Sequence, residues 1–155
     1  MSFNISSIQL YTHQQAGLWE FVQSIFDVEA EFLEDETLSF NLGPIKFIII
    51  ERAKEKLANK MKLTALNLTT ISLDVGQRDK LDEFESKYRF FNYRKDQTPK
   101  TLEIVQKYYG DYLLLIDPDG REWELWSYRE HATFRPLQVT DGNTVDSKNC
   151  FYQNN

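Results

Sequence analysis

The sequence predicts an α+β domain made of two copies of one βαβββ module. Three observations support this prediction: an internal repeat, a change of hydrophobic period at the same point of each copy, and strand-rich segments after each predicted helix. Helices then collect on one face of each largely antiparallel sheet. The opposite faces are left to line a shared concavity, so the predicted shape is a cup with the helices outside.

The internal repeat aligns residues 7–21 with residues 70–84 without a gap, and six of the fifteen positions are identical. Hydrophobic residues alternate at the start of each copy, which predicts a half-buried strand. They then recur at helical spacing, at Leu18 and Phe21 in the first copy and at Leu81 and Phe84 in the second. A fixed-period repeat of this kind predicts two similar structural units.

Capping and turn residues along the chain support the same division. Thr12 and Gln15 have the spacing of a capping box at the start of the first helix. Strands are predicted at 30–33, 37–42 and 45–51 after the first helix, and at 90–94, 112–116 and 122–128 after the second. The tract Asp117-Pro118-Asp119-Gly120 predicts a turn. Residues 98–107 fit either an amphipathic helical turn or a loop.

The predicted organisation is a first module at 5–51, a connector at 52–67, a second module at 68–128 and a C-terminal tail at 129–155. Together they form one domain of a size that can enclose a hydrophobic core. The aromatic fraction of 14% suggests that some rings line a cavity or an interface as well as the core.

Charge and composition exclude several functional classes. A net charge of −6 argues against a general nucleic-acid binder, which needs a basic face. A single cysteine, Cys150, excludes a disulfide within the chain and a cysteine-based metal site. The N-terminal residues lack a secretory pattern, and the longest apolar run, 47–50, is too short to span a bilayer. We therefore expect a cytoplasmic protein without membrane partners.

The repeat and the tract LIDPDGREWEL at 115–125 together resemble the vicinal oxygen chelate superfamily. This superfamily includes glyoxalases, bleomycin-resistance proteins and extradiol dioxygenases. Its second module typically ends in a strand that follows a D-P-D-G turn and carries E-L. The resemblance covers residues 5–128 and implies paired modules, a small-molecule ligand in the concave sheet and a homodimer.

The resemblance also implies four cavity-facing positions for a divalent metal. They fall on Ser7, Glu51, Thr70 and Glu124, with the register of Glu51 open to a slip of one residue. Two hydroxyls and two carboxylates make a poor transition-metal site without an imidazole. The two histidines, His13 and His131, do not lie on a cavity face in this register. We therefore predict no metal ligand and no cofactor, and a divalent metal is the alternative.

Strand alternation assigns side chains to the concavity. The predicted ligand-binding residues are Ser7, Gln9, Tyr11, Thr70, Ser72, Asp74, Glu122, Trp126 and Tyr128. Glu124 is the candidate general base, because a carboxylate in a partly closed cavity has a raised pKa. Plainer interpretations exist for each residue: polar side chains on strands often face water, and aromatic ones often pack.

Three functional hypotheses follow. The first is a metal-independent protein that binds a small organic ligand in the concave sheet, as bleomycin-resistance proteins do. The second is a metal-dependent lyase, isomerase or extradiol-type dioxygenase of the same superfamily. The third is an interaction module whose sheet faces pair in a dimer.

Overall fold

The computed structural model describes residues 4–52, 69–97 and 103–129, together with 139–140 and 143–144. Apart from Arg52 at its start, the predicted connector lies outside these residues. Most of the predicted tail also lies outside them, including His131 and Cys150. Neither helix in the described part of the chain is long and apolar enough to cross a membrane.

The first module has the predicted order of elements. These are β1 (Ile8–Thr12), α1 (Gln15–Phe26), β2 (Glu31–Phe32), β3 (Leu38–Leu42) and β4 (Ile45–Glu51). The sheet has the order β1-β4-β3-β2, in which β1 runs parallel to β4 and the other neighbours are antiparallel.

The second module repeats this topology. Its elements are β5 (Thr70–Asp74), α2 (Arg78–Arg94), β6 (Ile104–Lys107), β7 (Gly110–Ile116) and β8 (Glu122–Tyr128). The sheet order β5-β8-β7-β6 matches that of the first module, again with one parallel pair, β5 with β8. A short antiparallel pair, β9 (Val139–Thr140) and β10 (Asn143–Thr144), follows. The predicted α+β fold of two βαβββ modules is confirmed.

Two local predictions about the second module are corrected. Residues 90–94, predicted as a strand, continue α2, because Tyr88 and Phe91 extend the buried helical spacing that begins at Leu81. Phe90 and Tyr93 point outward and are exposed, which made the aromatic run resemble a strand. The second strand of the module is instead β6, inside the 98–107 segment that the sequence left open between a helical turn and a loop.

The start of α1 also differs from the predicted capping box. Thr12 is buried and its Oγ1 accepts a hydrogen bond from the backbone N–H of Gln14 (3.0 Å), not from Gln15. The Gln15 side chain turns away and donates to the carbonyl oxygens of Glu36 and Ile49. Thr12 thus ends β1 with a tight turn and leaves the helix N-cap without a side-chain acceptor.

The two modules share one core, formed by the helix-covered faces of both sheets. The fully buried Trp123 of β8 lies against Phe47 of β4 (ring centroids 5.9 Å) and against Phe21 and Phe26 of α1 (6.2 and 5.4 Å). Phe21 also meets Phe91 of α2 edge to face at 5.6 Å. Because these faces pack together, the opposite face of each sheet points away from the shared core.

Candidate functional site

The outward face of the second sheet holds most of the predicted site. Parallel pairing of β5 with β8 places Thr70 beside Glu122 and Ser72 beside Glu124. The hydroxyl of Thr70 donates to Glu122 Oε2 (3.1 Å), and that of Ser72 donates to Glu124 Oε2 (3.0 Å). Both pairs join residues 52 positions apart in the chain, so the sheet register creates them.

Glu124 is the most constrained carboxylate of this face. Its Oε2 accepts a second hydrogen bond, from the indole N–H of Trp126 (2.9 Å), and the residue is half-buried. Two donors on one oxygen fix the orientation of the carboxylate. Oε1 accepts no hydrogen bond from any residue that the structure describes. The arrangement leaves one carboxylate oxygen for a ligand or a proton.

A row of aromatic rings lies beside Glu124. Trp126 stacks parallel to Tyr128 (5.4 Å, 2°) and against Tyr109 (5.3 Å, 23°), and it contacts Tyr112 at 4.5 Å. Trp126 is buried, whereas 41% of Tyr128 is exposed. Burial, reinforced by the charges of Asp74 and Glu124 and by Tyr109, raises the pKa of the Tyr128 phenol.

We call this surface the acidic aromatic face. It consists of Thr70, Ser72, Asp74, Tyr109, Tyr112, Glu122, Glu124, Trp126 and Tyr128. Seven of these nine residues were predicted from strand alternation. Tyr109 and Tyr112 were not. Tyr112 pairs with Trp126 across β7 and β8, and alternation along β7 was the signal that could have found it. Tyr109 lies in the β6–β7 turn, where no periodicity applies.

The remaining predicted residues lie on the first sheet. Tyr11 donates to Gln9 Oε1 (2.8 Å), and the guanidinium of Arg52 lies over the Tyr11 ring at 5.1 Å. Ser7 precedes β1 and makes no side-chain hydrogen bond with the described residues. These side-chain contacts stay within the first module. The structure thus brings Thr70 and Glu124 onto one face, and it gives no side-chain contact between them and Ser7.

Glu51 requires a correction. It pairs with Thr12, in alternation with the buried Phe47 and Ile49, and so belongs to the helix-covered side of β4. Ile50 is the residue that pairs with Tyr11 on the outward face. Glu51 is therefore one position out of register with the outward face of the sheet. Glu51 instead lines an open pocket of about 460 Å³ with Gln15, Asp35, Glu36, Thr37, Ile50 and Arg52.

The residues at the implied metal positions do not fit a divalent transition metal. The outward positions near the end of β4 are isoleucines, Ile48 and Ile50. Thr70 directs its hydroxyl to Glu122, and Glu124 keeps only Oε1 without a hydrogen bond from the described residues. Within the described residues, no group of three or more His, Cys, Asp or Glu side chains could hold a metal ion. His13 lies away from this face, with its Nδ1 3.7 Å from Asp119 Oδ1.

The turn between β7 and β8 contains a buried ion pair that also connects the two modules. Asp117, assigned to the turn, is buried and accepts hydrogen bonds from Arg121 Nη1 (2.6 Å) and Trp123 Nε1 (3.0 Å). Burial raises the pKa of Asp117, and the charge of Arg121 opposes that shift. Arg121 also donates to the carbonyl oxygen of Tyr11 (2.9 Å). This buried pair therefore links the second module to the end of β1.

No protein-family model and no curated protein sequence matches this chain. Solved structures do match it. The fosfomycin resistance protein FosX from Listeria monocytogenes, complexed with Mn(II) and sulfate ion, has a TM-score of 0.64 at 17% identity, covering 84% of this chain and 94% of its own. A lactoylglutathione lyase from Agrobacterium tumefaciens has a TM-score of 0.58 at 15% identity, covering 80% and 92%.

A third similar structure is a glyoxalase/bleomycin resistance protein/dioxygenase from Nocardioides, with a TM-score of 0.62 at 12% identity and coverage of 89% and 91%. The chain has the vicinal oxygen chelate fold. The resemblance predicted from the repeat and the D-P-D-G tract is thus confirmed at the level of the fold. Identities this low show the fold alone. The function of this chain depends on its own side chains.

Proposed function

We propose that this protein binds a small organic ligand against the acidic aromatic face, without a catalytic metal. The observation that carries the proposal is the constrained carboxylate of Glu124, held by Ser72 and Trp126 beside a row of aromatic rings. Small-molecule sites combine apolar and aromatic surface with a few fixed polar groups, and this face has both. Similarity to a structure described as a glyoxalase/bleomycin resistance protein/dioxygenase agrees with a small-molecule site on this fold.

The chemistry of the donor set supports the metal-independent part of the proposal. FosX is described in complex with Mn(II). In this chain the implied metal positions hold two hydroxyl side chains, one isoleucine and one carboxylate. Glu124 is already hydrogen bonded through Oε2, and the described residues around it offer no imidazole nitrogen.

A homodimer is part of the proposal, because symmetric pairs of one chain are the commonest soluble oligomers. The outward face of the first sheet, which carries Ile48 and Ile50, is available to a second copy while the acidic aromatic face stays open. Size-exclusion chromatography with light scattering checks this part: we expect a mass twice that of the chain. A cytoplasmic location stays a prediction.

A crystallographic fragment screen tests the ligand-binding part. We expect fragment hits to concentrate against the exposed Tyr128 ring and beside Glu124. Clustering of hits in the pocket beside Glu51, with none on the acidic aromatic face, would contradict the proposal. Tyr128→Leu is the informative variant, because the residue is 41% exposed and its loss should remove hits without unfolding the chain.

Differential scanning fluorimetry tests the metal-independent part. We expect Mn²⁺, Ni²⁺ and Fe²⁺ to leave the melting temperature unchanged, with or without chelator. A stabilisation that the chelator reverses and that Glu124→Gln abolishes would favour the enzymatic alternative. Turnover of a thiohemiacetal or a catechol, lost in the same variant, would give Glu124 the role of general base that the sequence suggested.

A further inference from the structure

We propose that the ligand of the acidic aromatic face is an organic cation with a flat apolar body. This inference rests on the proposed function and adds the chemical class of the ligand. Two observations of different kinds support it: aromatic rings that no cation of the described chain covers, and a constrained carboxylate at their edge.

The aromatic rings provide the first observation. Cations are attracted to the faces of aromatic rings, most strongly to tryptophan. In the described part of the chain, cationic side chains lie over the rings of Tyr11, Phe84 and Phe90. None lies over Trp126 or Tyr128, which stack in parallel and leave much of Tyr128 open. A flat ligand can extend this stack, and the aromatic rings attract a positive charge on that ligand.

The carboxylates provide the second observation. Glu124 offers Oε1, with its orientation fixed through Oε2. Two further carboxylates lie on the same face. Glu122 is two positions before Glu124 on β8, and Asp74 of β5 pairs with Trp126. A protonated amine beside Glu124 forms a charge-assisted hydrogen bond, whereas an anionic group meets repulsion from three carboxylates.

The nearest cations of the described chain do not cancel this charge. Lys107 faces the same side but lies on the edge strand β6, with β7 between it and β8. Arg129 follows Tyr128, yet its guanidinium binds Asp111 and the carbonyl oxygens of Lys107 and Tyr108. The raised pKa of Tyr128, due to burial and then to Asp74, Tyr109 and Glu124, agrees with a negative local potential.

Two tricyclic probes of matched shape and opposite charge test the proposal on the full chain: N-methylacridinium, a cation, and acridine-9-carboxylate, an anion. Fluorescence titration should show at least about tenfold tighter binding of the cation, because the rings and the three carboxylates attract the cation and the carboxylates repel the anion. Equal or tighter binding of the anion would overturn the inference.

Two pairs of variants locate the effect. Glu124→Gln should weaken N-methylacridinium about tenfold, while the matched change Glu31→Gln, at an exposed position of β2, should leave it unchanged. Tyr128→Leu should weaken the cation about threefold, while Tyr93→Leu, at an exposed position of α2, should not. If Glu124→Gln does not fold, as judged by circular dichroism, Glu122→Gln replaces it with the same direction of change.

The outcomes separate the inference from the proposed function. If acridine-9-carboxylate binds better and Tyr128→Leu weakens it, the binding face stands and its charge preference is refuted. If neither probe binds, the inference is overturned, whereas fragment hits on the acidic aromatic face would still support ligand binding. Cation binding that none of the face variants changes also overturns it.

Discussion

The two modules have the same strand order and the same parallel pairing, yet their outward faces carry different chemistry. The repeat aligns Gln9 with Ser72 and Tyr11 with Asp74. In the first module, Tyr11 binds Gln9 and is covered by Arg52, a cation of its own chain. In the second, Ser72 reaches across to a carboxylate, and no cation of the described residues lies over Trp126 or Tyr128. A repeated backbone supplies equivalent positions, and the side chains placed there decide which module can bind a ligand.

The last hairpins of the two modules differ as well. The β3–β4 turn is exposed and uses Gly43 at φ 57° to reverse the chain. The β7–β8 turn encloses the buried pair of Asp117 and Arg121, which also reaches Tyr11 of the first module. The second hairpin thus supports both the candidate site on β8 and the packing of the modules against each other.

The largest expected effect comes from Asp117→Ala. The change leaves the buried guanidinium of Arg121 with only the more distant carboxylate of Asp119 (3.8 Å) and removes the acceptor of the Trp123 indole N–H. We expect a loss of about 3–5 kcal/mol in the free energy of unfolding. Urea-induced unfolding, followed by tryptophan fluorescence, measures the loss. The comparison is Asp35→Ala, which removes an exposed carboxylate of the β2–β3 turn that accepts hydrogen bonds from Thr37. A loss as large for Asp35→Ala as for Asp117→Ala would contradict the structural role assigned to the buried pair of Asp117 and Arg121.

The next effect is expected from Gly110→Ala. A Cβ at this position would lie 2.6 Å from the carbonyl oxygen of Ser127 and 3.0 Å from Cα of Tyr128, so β7 and β8 must move apart. We expect a loss of about 1–3 kcal/mol in the free energy of unfolding, together with weaker binding of N-methylacridinium. Gly43→Ala is the matched change in the first module. A Cβ at position 43 would have no atom within 4 Å, so the change should cost only backbone strain of about 1 kcal/mol and leave probe binding intact.

A smaller effect is expected from Ser72→Ala. The change removes one of the two donors that orient Glu124, so the affinity for N-methylacridinium should fall about threefold. The matched change Gln9→Ala, at the equivalent position of the first module, should have no effect on that affinity. If both variants bind the probe equally well, the difference between the two sheet faces does not extend to ligand binding.

The smallest effect concerns the titration of Tyr128. Burial raises the pKa of its phenol above the ordinary value of 10.0, with Asp74, Tyr109 and Glu124 acting in the same direction. The folded protein therefore holds this proton more tightly than the unfolded chain. The resulting stability is present below the ordinary pKa and is lost as the pH rises through the folded value. Difference absorbance between wild type and Tyr128→Phe follows the ionisation.

Asp74→Asn tests how much a nearby negative charge contributes to the raised pKa of Tyr128, because it removes one such charge. The titration midpoint of Tyr128 should move down, towards its ordinary value. A midpoint that stays in place would exclude a contribution of Asp74 and would weaken the case for a negative potential at this face.

The sequence by itself determined the two-module topology and most of the acidic aromatic face. Both follow from short-range patterns: the change of hydrophobic period marks strand and helix, and alternation along β5 and β8 places Ser72 and Glu124 on one side. The D-P-D-G turn likewise marks the hairpin before β8. These features depend on residues close together in the chain, so a single sequence contains them.

The tertiary structure alone decided the rest. Only the pairing of β1 with β4 shows that Ile50, and not Glu51, faces outward. Only the packing of Trp123 against Phe47 shows that the helix-covered faces form one core and turn the other faces away from it. The link from Arg121 to Tyr11 joins residues 110 positions apart. Contacts between distant segments depend on the register and packing of the whole fold, which local periodicity does not encode.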